Sequence, residues 1–256
     1  MTQSQKLRFL TEYLISERQA SNSLPLPETN AECFKLFRSL VNVREASPVS
    51  SEFLTIQDEF LRTETVNKGI TDLSDLTPVK NDIYLWQGDI TTLKCDAVVN
   101  AANSGMTGCY CPCHGCIDNV IHTYAGIQLR LECHDIMMHQ GCPEPTGKAK
   151  ITSAYNLPCK YVIHTVGPIV SGSLTSEHCR LLESCYRSCL EIADNNNVDS
   201  IAFCCISTGE FHFPNAEAAK IATNTINSYK EHTGSPIKVI FNVFKDIDLN
   251  IYKQLL

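Results

Sequence analysis

The sequence lacks a long apolar run. None of its apolar stretches approaches the roughly 20 residues that a transmembrane helix needs. The opening segment, MTQSQKLRFLTEYLISER, mixes charged with apolar residues and so lacks the uninterrupted core of a signal peptide. We therefore expect a cytoplasmic protein with no membrane partner. With 256 residues, 43% of them hydrophobic, the chain is long enough for one large domain or a domain with an extension.

Positive charge is also scarce. The chain has 21 Lys and Arg against 28 Asp and Glu, which gives a net charge of −7. Proteins that bind duplex nucleic acid need a surplus of basic side chains to neutralise phosphates, so we do not expect a nucleic acid duplex as partner. A small anionic ligand is not excluded, because backbone N–H groups in a turn or at a helix N-terminus can hold phosphates.

Cysteine, by contrast, is abundant, with fourteen residues. In a cytosolic chain of this length such a count indicates free thiols and a candidate metal site rather than disulfides. Most of the cysteines stand alone in apolar surroundings, where they are expected to be small buried hydrophobic residues. These are Cys95, Cys179, Cys185, Cys189, Cys204 and Cys205.

Residues 1–80 have a helical pattern. Apolar side chains recur at helical spacing in three stretches, the first from Leu7, the second from Cys33 and the third over 51–66. Prolines separate these stretches. We predict an all-helical N-terminal extension, uninterrupted by strands, that acts as a structural cap or a partner-docking surface.

Residues 81–256 alternate strand-like and helical segments, which predicts an α/β domain whose central sheet is covered on both faces. One helix is expected from Asp118 to about His139, one over 175–194, one from Pro214 and one at the C-terminus. The first expected strand lies in IYLWQGDI (83–90) and runs into a turn at Gly88-Asp89. The others are DAVVNAA (96–102), ITSAY (151–155), YVIHTV (161–166), SIAFCCIS (200–207) and KVIFNVF (238–244).

Three polar loops follow strands of this domain, at 88–90, 100–116 and 207–213. In open α/β sheets, ligands bind in the crevice outside the carboxyl ends of the strands. We therefore expect the three loops to form one site. The loop STGEFHFP, from Ser207, precedes a helix and could hold a diphosphate through its N–H groups.

The second loop concentrates metal-binding side chains in the spacing C-x4-H-x-C, formed by Cys109, His114 and Cys116. Sulfur and imidazole ligands suit zinc, and three protein ligands with an open fourth position are typical of a catalytic zinc. A redox-sensitive loop without metal is the alternative. Cys111 and Cys113 lie between the three, and Cys133-His134 is the nearest candidate for a second cluster.

Other residues near this loop have an ordinary structural interpretation as well as a functional one. Asp118 stands where a helix should begin, and sequence alone favours an N-cap. Asn100 and Asn103 at a strand end are also common turn residues. Together, however, the amides, the carboxylate and the metal-type ligands form a polar cluster in the crevice expected at the carboxyl ends of the strands.

Four segments, taken together, resemble the macrodomain family: GDI (88–90), DAVVNAAN (96–103), IDNVIHTYAG (117–126) and STGEFHFPNAEAA (207–219). The resemblance implies a three-layer α/β/α macrodomain with a mixed central sheet over 81–256. The C-x4-H-x-C loop resembles that of the zinc-dependent macrodomains among microbial ADP-ribosylhydrolases, which also carry a helical N-terminal extension.

The resemblance also implies residue roles. Asp89 would bind the adenine with Ile90 behind it, Asn103 would orient the distal ribose, and Asp118 would be catalytic. Cys109, His114 and Cys116 would bind zinc, with Cys111 and Cys113 as extra thiols. The remaining ligand-binding candidates are Asn100, Ala101, Asn119, Ser207, Thr208, Gly209, Glu210, Phe211 and Phe213.

The function implied is a zinc-dependent protein mono-ADP-ribosylhydrolase that binds ADP-ribose and releases it from a modified protein side chain. Either Asp118 or zinc would activate the water. The alternatives are a non-catalytic ADP-ribose reader module with a structural zinc and a zinc-stabilised interaction protein in which the helices of residues 1–80 contact the partner. Macrodomains of this kind often accompany sirtuin-type transferases that act on lipoyl-carrier proteins, which makes both candidate partners by resemblance only.

Overall fold

The computed structural model describes residues 1–18 and 25–256. Three helices in the N-terminal 80 residues confirm the predicted helical extension, and the last helix closes the chain as expected. The helices within the described residues are α1 (Gln3–Ser16), α2 (Asn30–Val43), α3 (Ser51–Lys68), α4 (Ile117–Ala125), α5 (Ile127–Gln140), α6 (Ser176–Asn195), α7 (Asn215–Thr233) and α8 (Asp246–Leu255). None of these helices is long and apolar enough to cross a membrane.

Six of the eight described strands form the central sheet, in the order β2-β8-β7-β4-β6-β5. All neighbours pair in parallel except β5, which runs antiparallel to β6 at one edge, so the sheet is mixed as predicted. The strands are β1 (Thr71–Asp72), β2 (Ile83–Gln87), β3 (Leu93–Lys94), β4 (Ala97–Ala102), β5 (Ala149–Ser153), β6 (Tyr161–Val166), β7 (Ser200–Phe203) and β8 (Lys238–Val243).

Helices cover both faces of the sheet, because the strands are apolar at consecutive positions. Val98 and Val99 point to opposite faces of β4, and both are fully buried. On one side α4 packs against β4 and α5 against β5, while α6, α7 and α8 pack together on the other. Burying one such side chain contributes about 1.5–3 kcal/mol, so both layers stabilise the fold.

The extension has its own apolar core and docks on α4. Its buried side chains include Leu10, Phe37 and Phe60. Phe34 joins this core to the α/β domain, with its ring centroid 6.2 Å from those of Phe60 and Tyr124. The expectation of an extension without strands was wrong in one detail. The two-residue strand β1 pairs with β3 and is too short to give a periodic signal.

The single helix expected over 118–139 is two helices, α4 and α5, which meet at Gly126. This glycine has φ 96° and ψ 171°, a backbone conformation that residues with a Cβ essentially never adopt. Apolar residues continue on both sides of the break, so periodicity alone does not reveal it.

Two other predicted boundaries move. The strand expected over 200–207 ends at Phe203, because the chain leaves the sheet there and Ser207 takes a left-handed φ of 64°. Strand β5 covers Ala149–Ser153 rather than 151–155.

All fourteen cysteines are free thiols, in line with the expected absence of disulfides. Of the six cysteines predicted to be buried, four are buried, namely Cys95, Cys185, Cys189 and Cys204. Cys179 and Cys205 are partly exposed.

Candidate active site

A cavity of about 900 Å³ opens at the carboxyl ends of the parallel strands, where the three predicted loops meet. Most of the residues predicted to form the site line it. They are Asp89, Ile90, Ala101, Asn103, Cys109, His114, Cys116, Asp118, Ser207, Thr208, Gly209, Glu210 and Phe211.

Three predicted ligand-binding residues lie behind the cavity wall instead. Asn100, Asn119 and Phe213 are at most 1% exposed. The amide of Asn119 donates to the carbonyl of Cys111 at 2.9 Å and so supports the cysteine loop from below. Sequence spacing indicates which residues gather at a strand end, but not which of them face the cavity.

Asp118 is buried in the first turn of α4 and is not the N-cap that sequence alone favours. The cap is Cys116, whose Sγ accepts a hydrogen bond from the Asn119 N–H at 3.4 Å. The Asp118 carboxylate therefore does not cap the N-terminus of α4. It receives the amides of Asn100 at 2.8 Å and Asn103 at 3.3 Å on its two oxygens.

Burial raises the pKa of Asp118 to about 6, although the hydrogen bond from Asn100, the charge of Arg130 and the hydrogen bond from Asn103 act in the opposite direction. A carboxylate with such a pKa can take up and release a proton near neutral pH, which is the property required of a general base.

Asn103 ties the carboxylate to the cysteine loop. Its amide nitrogen donates to Asp118 and, at 3.0 Å, to the carbonyl of Gly108. Its Oδ1 accepts the N–H of Gly105 at 2.9 Å. Asn103, which is predicted to orient the distal ribose, therefore also holds the part of the cavity wall next to Asp118 in place.

The three metal-type side chains come together as the sequence predicts. The ligand atoms of Cys109, His114 and Cys116 lie within 4.8 Å of one another, and Cys109 Sγ is 3.6 Å from His114 Nδ1. Two sulfurs and one imidazole nitrogen are a donor set that suits zinc. Burial raises the pKa of Cys116, and a dication bound by this group would favour the thiolate.

The two extra thiols stand apart from this group. Cys111 is exposed. Cys113 is turned towards α2, where its Sγ donates to the Lys35 carbonyl at 3.3 Å and its N–H donates to Asn42 at 2.9 Å. Cys133 lies with His122 and His164 in a second, buried group of metal-type side chains. The sequence pair Cys133-His134 therefore contributes Cys133 to a cluster, but His134 is not part of it.

The loop at 207–213 presents backbone donors to the cavity. Ser207 and His212 have positive φ, and the Phe213 N–H closes the loop on the Ser207 carbonyl at 3.0 Å. The N–H groups of 209–211 donate to no other group in the described parts of the chain. Such a turn can hold an anion without basic side chains.

The extension also reaches the cavity, which sequence reasoning missed. Arg38 of α2 donates to the His114 carbonyl at 2.7 Å and to Asn119 Oδ1 at 2.8 Å. Its guanidinium therefore fixes the cysteine loop from outside. The sequence holds no local signal for this contact, because the partners are 76 and 81 residues apart.

Lys68, the last residue of α3, completes the far end of the cavity. Its ammonium lies 2.8 Å from Asp89 Oδ2 and 3.3 Å from the centroid of the Tyr124 ring. Burial acts to raise the pKa of Asp89, but the hydrogen bonds from Lys68 and Thr91 outweigh it and the pKa lies below its usual value. Asp89 is therefore a fixed anion at this end of the cavity.

Comparison with known proteins gives consistent matches. The family model described as "Macro domain" matches residues 99–222. The chain is 54% identical to the protein-ADP-ribose hydrolase of Treponema medium over 100% of both chains. It is 51% identical to the protein-ADP-ribose hydrolase of Staphylococcus aureus strain MSSA476, over 97% of this chain and 94% of the relative.

Solved structures of macrodomains have the same fold. The Trypanosoma brucei macrodomain in complex with ADP-ribose matches with a TM-score of 0.66 at 27% identity, over 90% of this chain and 96% of that one. The Oceanobacillus iheyensis macrodomain with MES bound matches with a TM-score of 0.63 at 34% identity, over 70% and 93%.

Proposed function

The chain belongs to the macrodomain family and is a protein-ADP-ribose hydrolase, and from this we propose that it acts with a zinc ion held by Cys109, His114 and Cys116. The observation that carries the proposal is the gathering of these three side chains on the same cavity wall as Asp118. A site that only binds ADP-ribose needs neither a carboxylate nor a metal beside the ribose, so a reader module is disfavoured.

In this proposal ADP-ribose spans the cavity. The adenine lies at the end formed by Asp89 and Ile90, and the diphosphate lies on the free N–H groups of 209–211. The distal ribose then meets Asn103 and Asp118 beside the cysteine loop. A relative crystallised with ADP-ribose supports this choice of ligand.

The reaction breaks the bond between C1″ of the distal ribose and a side-chain atom of the modified protein. The bonding electron pair leaves with that atom, positive charge develops on the ribose, and a water oxygen bonds to C1″. Asp118 accepts a proton from this water, and its Asn100 and Asn103 donors hold the carboxylate in place. A bound zinc ion would supply a Lewis acid at this end of the cavity.

Other parts of the proposal rest on resemblance alone. The modified protein would be a lipoyl-carrier protein, a sirtuin-type transferase would attach the ADP-ribose, and the enzyme would work in the cytoplasm. One further part rests on contacts in the structure instead. The helical extension would position the cysteine loop through Arg38, which donates to the His114 carbonyl.

Replacing Cys116 with serine tests the metal. Serine keeps an N-cap oxygen for α4 but removes the thiolate ligand. We expect the native protein to hold about one zinc per chain, and C116S to lose both the zinc and the release of ADP-ribose. Metal analysis of the purified protein and a release assay on mono-ADP-ribosylated protein measure the two effects.

C111S is the matched control, because Cys111 is an exposed thiol in the same loop, and it should keep both properties. Loss of zinc with full turnover would show that the metal is dispensable for catalysis. If a chelator instead lowers the melting temperature of the whole domain, the zinc is structural.

Replacing Arg38 with leucine tests the contribution of the extension. The cysteine loop would lose its anchor at the His114 carbonyl, and we expect zinc affinity and turnover to fall roughly 10- to 100-fold, as for other residues that orient metal ligands. R62L, which changes an exposed arginine of α3, is the control. Equal behaviour of the two variants would contradict an anchoring role.

A further inference from the structure

A row of buried polar side chains lies behind Asp118, inside the sheet. Asn100 on β4, His164 on β6 and Thr152 on β5 are at most 3% exposed, and none of them lines the cavity. Asn100 and His164 are direct partners in the β4–β6 register. Burying an unpaired polar group costs about 1–3 kcal/mol. Each of the three side chains has a hydrogen-bond partner in the row, but Asn100 Oδ1 has none among the described residues, so Asn100 contributes only its Nδ2 donors.

The direction of the hydrogen bonds in this row follows from the tautomer of His164. The Thr152 hydroxyl lies 3.4 Å from the Val162 carbonyl and 2.9 Å from His164 Nε2. Because the carbonyl can only accept, a hydroxyl that donates to it leaves its own oxygen to accept from Nε2–H, and this is the tautomer that we infer. Burial lowers the pKa of His164 to about 3, so the ring is neutral and has one N–H. With that proton on Nε2, Nδ1 is an acceptor.

An acceptor at this point selects one orientation of the Asn100 amide. Asn100 Nδ2 lies 3.1 Å from His164 Nδ1 and 2.8 Å from Asp118 Oδ1, and its two hydrogens match these two acceptors. A flipped amide would place its oxygen against a carboxylate oxygen and an imidazole lone pair. Both contacts would then be repulsive.

We propose that His164 is a positioning residue for the reaction, because its bare Nδ1 holds Asn100 in the orientation that donates to Asp118. The proposal rests on the role of Asp118 in the proposed function. Thr152 contributes to the same positioning, since its hydroxyl fixes the His164 tautomer.

Two further groups face this row. His122 Nε2 lies 3.5 Å from Asp118 Oδ1, and Cys133 Sγ lies 3.8 Å from His164 Nε2. Burial also lowers the pKa of His122, so it adds no positive charge. These side chains could form a metal site with His164, but both nitrogens of His164 are already engaged by Thr152 and Asn100.

The first test is the tautomer itself. Nitrogen-15 NMR of the full-length protein should show His164 with a protonated Nε2 and an unprotonated Nδ1 at neutral pH. A protonated Nδ1, or a metal bound at this histidine, would overturn the proposal. This measurement does not depend on activity, so it stands even if Asp118 proves dispensable for turnover.

The second test separates positioning from folding. H164L removes the acceptor, whereas H164N keeps an amide oxygen near the position of Nδ1. We expect H164L to lower kcat roughly 10- to 100-fold, as misplacement of a reacting group does, with the Kd for ADP-ribose within twofold of the native value. H164N should recover most of the loss. Unchanged kcat in H164L, or a parallel loss of ADP-ribose binding, would contradict positioning.

T152V provides a milder variant if H164L does not fold. It removes the hydroxyl that fixes the tautomer, so kcat should fall while ADP-ribose binding is retained. T165V is the matched control, because Thr165 is an equally buried threonine beside His164 whose hydroxyl donates to the Lys148 carbonyl, away from Asp118. Equal kcat in T152V and T165V would contradict the role of Thr152.

Discussion

Replacing Asp118 with asparagine is expected to lower turnover by roughly 10²- to 10⁴-fold, the usual contribution of general base catalysis. Asparagine has nearly the same shape, but it cannot accept a proton from water. Its one amide oxygen can still accept the shorter hydrogen bond, from Asn100, and the longer one from Asn103 is lost. The other cavity residues are unchanged, so ADP-ribose should still bind. Single-turnover release of ADP-ribose from a mono-ADP-ribosylated protein measures the loss, and calorimetry with free ADP-ribose measures binding.

The control for this variant is D135N, which removes an exposed carboxylate from the neighbouring helix α5 and should leave turnover unchanged. Full turnover in D118N with zinc still bound would mean that the metal alone activates the water. Loss of ADP-ribose binding together with turnover would instead assign Asp118 to substrate binding.

Replacing Gly126 with alanine should strongly destabilise the fold. The φ of 96° and ψ of 171° alone cost roughly 1–3 kcal/mol in a residue with a Cβ. The new methyl group would also lie 2.7 Å from Gln57 Nε2 and Gln128 Oε1, and 3.0 Å from Asn156 Nδ2. We therefore expect the free energy of unfolding to fall by more than the strain alone, as measured by urea denaturation.

G141A serves as the comparison. Gly141 also has positive φ, 71°, but nothing lies within 4 Å of the position a Cβ would take. G141A should therefore lower the free energy of unfolding only by the cost of a left-handed backbone conformation, about 1–2 kcal/mol. If G126A and G141A lower the free energy of unfolding equally, the polar side chains around Gly126 can move aside at no cost. The junction between α3, α4 and α5 would then be less tightly packed than its contacts indicate.

The sequence predicted those parts of the fold that leave a local periodic signal. Continuous apolar strands and helical spacing identified the order of elements, and polar residues after strands identified the three loops of the site. The break at Gly126 was missed because α4 and α5 both bury apolar side chains, so the pattern continues across it.

The candidate site was predictable only where its residues are close in sequence. The gathering of Cys109, His114 and Cys116 follows from their spacing. The contacts of Arg38 and Lys68 join positions far apart in sequence and depend on how the extension docks. The N-cap assignment of Asp118 failed for a different reason, since the thiol of Cys116 takes the capping role two residues earlier than expected.

The reach of the extension into the cavity has a thermodynamic consequence. Arg38 and Lys68 complete the cavity only while their helices are docked. A ligand whose affinity depends on these side chains must therefore favour the docked state, and by reciprocity it stabilises docking by the same free energy. Binding of such a ligand in the cavity and docking of the N-terminal helices are therefore coupled, and each increases the population of the other.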